Sequence, residues 1–119
     1  KELVVFYIST RRGSEYCSAC HAHAALQLDR SLTEADLMAL VRGELTRLPV
    51  AYRVALEVIA KAALEPAALT DDDFARLRAA GFHDEELPEL FALADLTVMF
   101  NTITMTYRVP LDAEYTRVL

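Results

Sequence analysis

The chain has 119 residues, 54% of them hydrophobic and 25% charged, with only 3 Gly and 4 Pro, which is the material of one domain with an ample core rather than of a disordered segment. A formal net charge of -6 excludes a basic field for nucleic acid or anionic lipid, and no apolar run reaches the roughly 18 residues a membrane span needs. Two cysteines three apart make no secreted disulfide framework, and no signal peptide is visible, so a reducing cytoplasm is the expected compartment. The chain opens at Lys1 and enters an apolar run at once, so we expect an N-terminal part of a longer chain to be missing.

Leu3–Ile8 reads LVVFYI, which by itself fits a buried strand or a buried helix. Every other segment has helical character and nothing nearby offers a strand partner, so a helix is expected. Glu2, just ahead, reads either as a solvated first-turn acid or as a functional group. The next stretch, Gly13–His23 (GSEYCSACHAH), holds both cysteines and two of the three histidines. Gly13 and Ser14 form a break and a cap, and the helix they start should run to about Leu28. Helical spacing puts Ser14, Cys17, Cys20 and His21 on one face and His23 on another. A thiol near a helix start, with an imidazole one turn along, has two causes for easier ionisation: the aligned backbone dipoles and a nearby proton acceptor.

Thr33 then caps a short helix with Asp36 three residues on and an apolar stripe of Leu37, Leu40 and Val41, closing at Gly43. Leu48–Leu64 is amphipathic, with Val50, Val54, Val58, Ala51, Ala55 and Ile59 as its core face. Arg53, Glu57 and Lys61 form its outer stripe, read as serving solubility alone, and Pro66 stops it. Leu69–Gly81 repeats the pattern of Leu32–Gly43 (Leu-Thr-acid-x-Asp-apolar, then Leu, then Gly), as an internal duplication would. The last helix, from about Glu86 to Tyr107, is apolar on most faces and so belongs in the core or in a subunit contact. Thr97, Asn101, Thr104 and Arg108 make a polar seam along it, for interhelical hydrogen bonds or for a pocket wall. Asp95 there needs a partner or an edge position. Val109–Leu119 reads as an extended arm.

Four readings of the Cys/His cluster compete. Cys17 to His21 spells C-x-x-C-H, the c-type haem attachment pattern, but haem attachment needs export and an axial partner. Cys17, Cys20, His21 and His23 are all zinc-ligand types, yet there is no second ligand pair elsewhere and His23 faces away. Two inert buried cysteines are the plainest reading. A redox dithiol fits the helix start and the same-face histidine.

The stretch Glu2–His21 resembles the alkyl hydroperoxidase D / carboxymuconolactone decarboxylase superfamily, and within it the peroxidase-related branch. That signature is a Glu, eleven residues, a Cys, two residues, a second Cys, three residues and a His. Its positions fall here on Glu2, Ser14, Cys17 and His21. The resemblance continues through LTEADLMALVRG and ALTDDDFARLRAAGFHDEEL to FNTITMTYRVPLD. It implies an all-α helical bundle with internal duplication over residues 1–119, completed by homo-oligomerisation. It also implies a cysteine-based peroxidase acting on hydrogen peroxide or organic hydroperoxides, with no metal or organic cofactor and an external thiol or dithiol reductant. Cys17 is then the reactive thiol, assisted by His21 and Glu2. The first cysteine of the signature is Ser14 here, so Cys20 is left as the resolving thiol, a role the resemblance does not itself supply. A lactone decarboxylase-type enzyme or a non-enzymatic thiol redox sensor are the alternatives. If the shared face matters, His21→Ala raises the pH needed to alkylate Cys17 and His23→Ala does little. Equal effects in an alkylation titration would point to a metal site or a loop instead.

Overall fold

The computed structural model describes residues 1–116. Six α-helices make up the fold of the described residues: α1 Glu2–Arg12, α2 Glu15–Leu28, α3 Glu34–Val41, α4 Val50–Leu64, α5 Asp71–Ala79 and α6 Leu87–Thr106. One turn of 3-10 helix, Pro66–Ala68, separates α4 from α5, and no strand occurs among the described residues. The all-α bundle is as expected.

The LVVFYI run lies in α1, where Val4 through Ser9 are buried without interruption. A helix buried all round must be walled by other elements, and α2, α4 and α6 pack on it, with α3 at its end. A helix satisfies its backbone groups internally, which a lone strand in that position could not do. Phe6 and Ile8 are completely buried and sit in one cluster with Leu37, Leu40, Leu56 and Ile59. At the far end of α1, the Arg11 guanidinium donates to Leu40 O (3.0 Å) and to Val41 O, placing a cation on the free carbonyls of α3.

α1 closes at Gly13, whose φ of 74° lies in the left-handed region that side-chain-bearing residues adopt at a cost. The Gly13 N–H donates to Thr10 O at 3.3 Å and the Ser14 N–H to Ser9 O at 2.9 Å, a Schellman closure. The chain turns there into α2, and the two helices form a hairpin.

α3 and α5 share start and stop chemistry. Each begins with a capping box, Thr33 with Asp36 and Thr70 with Asp73. Each ends on a positive-φ glycine with the same closure, Glu44 N–H to Ala39 O (2.9 Å) and Phe82 N–H to Leu77 O (3.1 Å). The sequence repeat is therefore a repeat of helix caps.

Four expectations are corrected. Val50, assigned to the core face of α4, is 58% exposed, because it is the first residue of the helix and stands beyond its packed part. The outer stripe of α4 does more than solubilise. Lys61 Nζ bonds Asp73 Oδ2 at 2.7 Å and Glu57 pairs with Arg76, so the stripe ties α5 to α4. Arg108 does not continue the polar seam, since α6 ends at Thr106 and Arg108 takes φ 51°. The stretch after Val109 folds back over α2 instead of extending: the Tyr16 hydroxyl donates to Asp112 Oδ2 at 2.8 Å, and the Tyr115 ring meets Tyr16 and His23 edge-on. Residues 117–119 of that arm lie outside the described residues.

Asp95 takes the edge position, exposed on α6. Asn101 answers the seam's open choice with an interhelical bond, its Nδ2 donating to Ser9 Oγ at 2.9 Å with both side chains fully buried. The opposite face of α6 (Leu96, Met99, Phe100, Ile103) is exposed in the single chain.

The α4–α5 tie carries a pH signature. The Lys61 ammonium, followed by the Thr70 backbone N–H, holds the Asp73 carboxyl below its ordinary 3.8. A depressed carboxylate stabilises the fold above its unfolded value, and that stability is lost as pH falls through the folded value. Thermal melts should thus show Asp73→Asn lowering Tm at pH 7, with the gap to the parent protein closing below about pH 3.8 as the parent's carboxylate is protonated. A gap independent of pH would mean that Asp73 acts by packing alone.

Candidate active site

The α1–α2 hairpin brings the first turn of α1 against the second turn of α2. There, His21 Nδ1 and Glu2 Oε2 are 2.6 Å apart, each side chain 31% exposed. Glu2 is therefore not the solvated acid that periodicity alone allowed. With Nδ1 engaged by the carboxylate, Nε2 is the ring nitrogen left for other chemistry.

Cys17 is the third residue of α2, within the first turn where backbone N–H groups are free of helical partners. It is 5% exposed and one helical turn before His21. Residues so spaced stand about 5–6 Å apart at Cβ. The Cys17 Sγ lies 3.4 Å from Thr104 Oγ1 on α6. Cys20, partly exposed, is one turn further along α2, and both thiols are free. Tyr115 sits beside Glu114 and Cys20, which raise its hydroxyl above the usual tyrosine range. Tyr16 is raised as well, chiefly by its hydrogen bond to the Asp112 carboxylate.

Ser14 occupies the cap position of α2, yet its side chain makes no capping bond. The hydroxyl, 1% exposed, turns instead to Thr104 Oγ1 at 3.2 Å. His23 points away as expected, paired with Gln27 (2.7 Å) and packed on Tyr115. Among the described residues, no three of His, Cys, Asp and Glu are placed to hold one metal ion. Beside Glu2, a largely apolar cleft of about 250 Å³ opens between α1, α2, α4 and α6, lined by Val4, Ala25, Leu28, Leu56 and Leu90. Cys17 is not in its wall.

Of the residues expected at the site, Glu2 and His21 meet directly, Cys17 shares their side of the hairpin, and Cys20 follows at the edge. Thr104 was visible only as one member of a seam on α6, with nothing linking it to the thiol. Tyr115 carried no signal at all, because its contact depends on how the C-terminal stretch folds back.

These features define an all-helical protein with a shielded thiol one helical turn from a carboxylate–imidazole pair. Among solved structures, the chain is similar to an uncharacterized peroxidase-related protein from Silicibacter sp. TM1040, at 25% identity and a TM-score of 0.85, covering 98% of this chain and 60% of that one. It is also similar to an alkylhydroperoxidase AhpD core, an uncharacterized peroxidase-related protein from Ralstonia eutropha JMP134, at 22% identity and a TM-score of 0.85, covering 96% of this chain and 60% of that one. The chain thus has the alkylhydroperoxidase D-like fold and resembles its peroxidase-related branch, while spanning about 60% of the length of these neighbours. No protein-family model matches the chain, and no curated protein matches it. No helix among the described residues is long and apolar enough to cross a membrane.

A pair about a third exposed, such as Glu2–His21, contributes little to stability, about 1 kcal/mol or less. Glu2→Gln should leave the melting temperature nearly unchanged and slow Cys17 alkylation at pH 7 severalfold. A large loss of Tm with normal alkylation would make the pair structural.

Proposed function

We propose that the chain is a cysteine-based peroxidase that reduces hydrogen peroxide or organic hydroperoxides. The observation that carries this reading is the 2.6 Å Glu2–His21 contact, on the face of α2 that also bears Cys17. Glu2 fixes the imidazole, and His21 accepts the thiol proton one turn away. The Cys17 thiolate attacks the terminal peroxide oxygen. The S–O bond forms as the O–O bond breaks, sulfur gives up two electrons, and the leaving alkoxide or hydroxide takes the proton held by His21. Cys17 is left as a sulfenic acid. The Cys20 thiol then attacks that sulfur and expels water, forming a disulfide that an external dithiol reduces by exchange. Both cysteines lie in a continuous helix, so the bridge is strained and easily reduced, as a turnover intermediate should be.

The reading includes a homo-oligomer. The exposed apolar row on α6, with Leu96, Met99, Phe100 and Ile103, is the kind of surface that a second copy covers.

Peroxide consumption driven by a dithiol tests the reading. Cys17→Ser should abolish turnover, and peroxide without reductant should remove two hydrogens from the Cys17–Cys20 peptide by mass. Full turnover in Cys17→Ser sinks the assignment of the nucleophile. Stable sulfenic or sulfinic acid on Cys17, with Cys20 still free, would hand the resolving step to a partner thiol. Oxidation without turnover would make the protein a thiol sensor.

A further inference from the structure

We infer that the Thr104 hydroxyl is the hydrogen-bond donor that holds the Cys17 thiolate, with Ser14 fixing that hydroxyl in place. The inference deepens the peroxidase reading in that it takes Cys17 as the reacting group.

The hydrogens of this cluster can be counted. Ser14 Oγ is buried and lies 3.2 Å from Thr104 Oγ1, and a buried hydroxyl seldom leaves its hydrogen unused. Ser14 therefore donates to Thr104. A threonine hydroxyl has one hydrogen and two lone pairs. While Cys17 is a thiol, those lone pairs accept from Ser14 and from the S–H at 3.4 Å, and the Thr104 hydrogen goes to Phe100 O (3.0 Å) or Asn101 O (3.2 Å). When Cys17 ionises, its sulfur becomes purely an acceptor. The Thr104 O–H then rotates from the carbonyl to the sulfur, and Ser14 stays as the donor behind it. Phe100 O and Asn101 O lie inside α6, where each keeps its backbone partner four residues on. The rotation thus orphans no buried group, so nothing opposes it strongly.

Thr104 is the α6 side chain within hydrogen-bond distance of the sulfur. From Leu96 to Thr106 the helix carries no titratable residue, and the buried Asn101 amide is committed to Ser9. The charged and titratable groups around Cys17 come from elsewhere. On α2 they are Tyr16, Cys20 and His21. From α1 come Glu2, which acts through His21, and Arg12, which reaches Thr102 Oγ1 at 3.4 Å. From the C-terminal stretch come Asp112, held by Tyr16, and Tyr115. His21 and Thr104 thus serve the sulfur separately, one removing its proton and the other receiving its charge. The position at which the peroxidase-like signature has its first cysteine is, in this chain, a serine whose hydroxyl supports Thr104.

The test is the pH profile of Cys17 alkylation by iodoacetamide, without peroxide, with the two cysteines resolved by fragment mass. Thr104→Val keeps the side chain's shape and removes its hydroxyl. It should move the alkylation midpoint up by about one pH unit, making alkylation roughly tenfold slower at a fixed pH below it, the low end for a hydrogen bond to a charged group. Thr104→Ser should restore the parent profile. Thr104→Ala serves where the valine variant does not fold, and melting curves establish that each variant is native. A folded Val or Ala variant with the parent profile overturns the inference, and so does a serine variant that fails to restore it. Because the readout uses no peroxide, a shifted profile in a protein that consumes none would retain this inference and reject the peroxidase reading.

Discussion

The burial of α1 is the constraint on which the rest of the structure depends. Six consecutive residues, Val4 to Ser9, are removed from water, and the apolar ones among them contribute about 1.5–3 kcal/mol each on full burial. A helix with no wet face needs walls on every side, so α2, α4 and α6 are held to one axis by a single shared neighbour. Position at the site follows from this. Glu2 stands at the first turn of α1, and the hairpin at Gly13 sets how far back along α2 that turn reaches. The result is contact with His21 and not with His23.

The same hairpin explains the setting of the thiol. Ser9 is the last buried residue of α1 and accepts twice, its carbonyl from the Ser14 N–H and its hydroxyl from Asn101. Ser14 then turns to Thr104, and Thr104 to Cys17. A continuous polar line therefore runs between α1, the start of α2 and α6, inside an otherwise apolar region. In a low-dielectric interior such a line is costly if broken and stiff if complete. It holds the sulfur against the Thr104 hydroxyl, on the face of α2 that also bears His21.

Charge has a separate task, at the periphery. Lys61 and Glu57 on α4, paired with Asp73 and Arg76 on α5, fasten α5 to α4, while Arg11 closes the end of α3. These contacts place the short, similarly capped helices, α3 and α5. The long helices also share the main apolar core.

What the sequence determined by itself is local. Capping boxes at Thr33 and Thr70, glycine stops at Gly43 and Gly81, and the i, i+4 relation of Cys17 to His21 rest on interactions within a few residues, so spacing along the chain reveals them. The Glu2–His21 pair was legible only through a resemblance, because its two partners are joined across a turn. What the tertiary structure decided is everything that depends on which faces meet. The α4 stripe became a tie to α5 only once acidic and basic partners stood opposite it. Thr104 became a neighbour of Cys17 only when α6 lay along α2, a contact between residues far apart in the chain. Val50 is wet although its spacing is right, because periodicity specifies the direction of a side chain and not how far the packing extends along the helix. Helical periodicity encodes angle around an axis. The distance between axes is set by the summed packing of all the helices, which no single stretch of sequence contains.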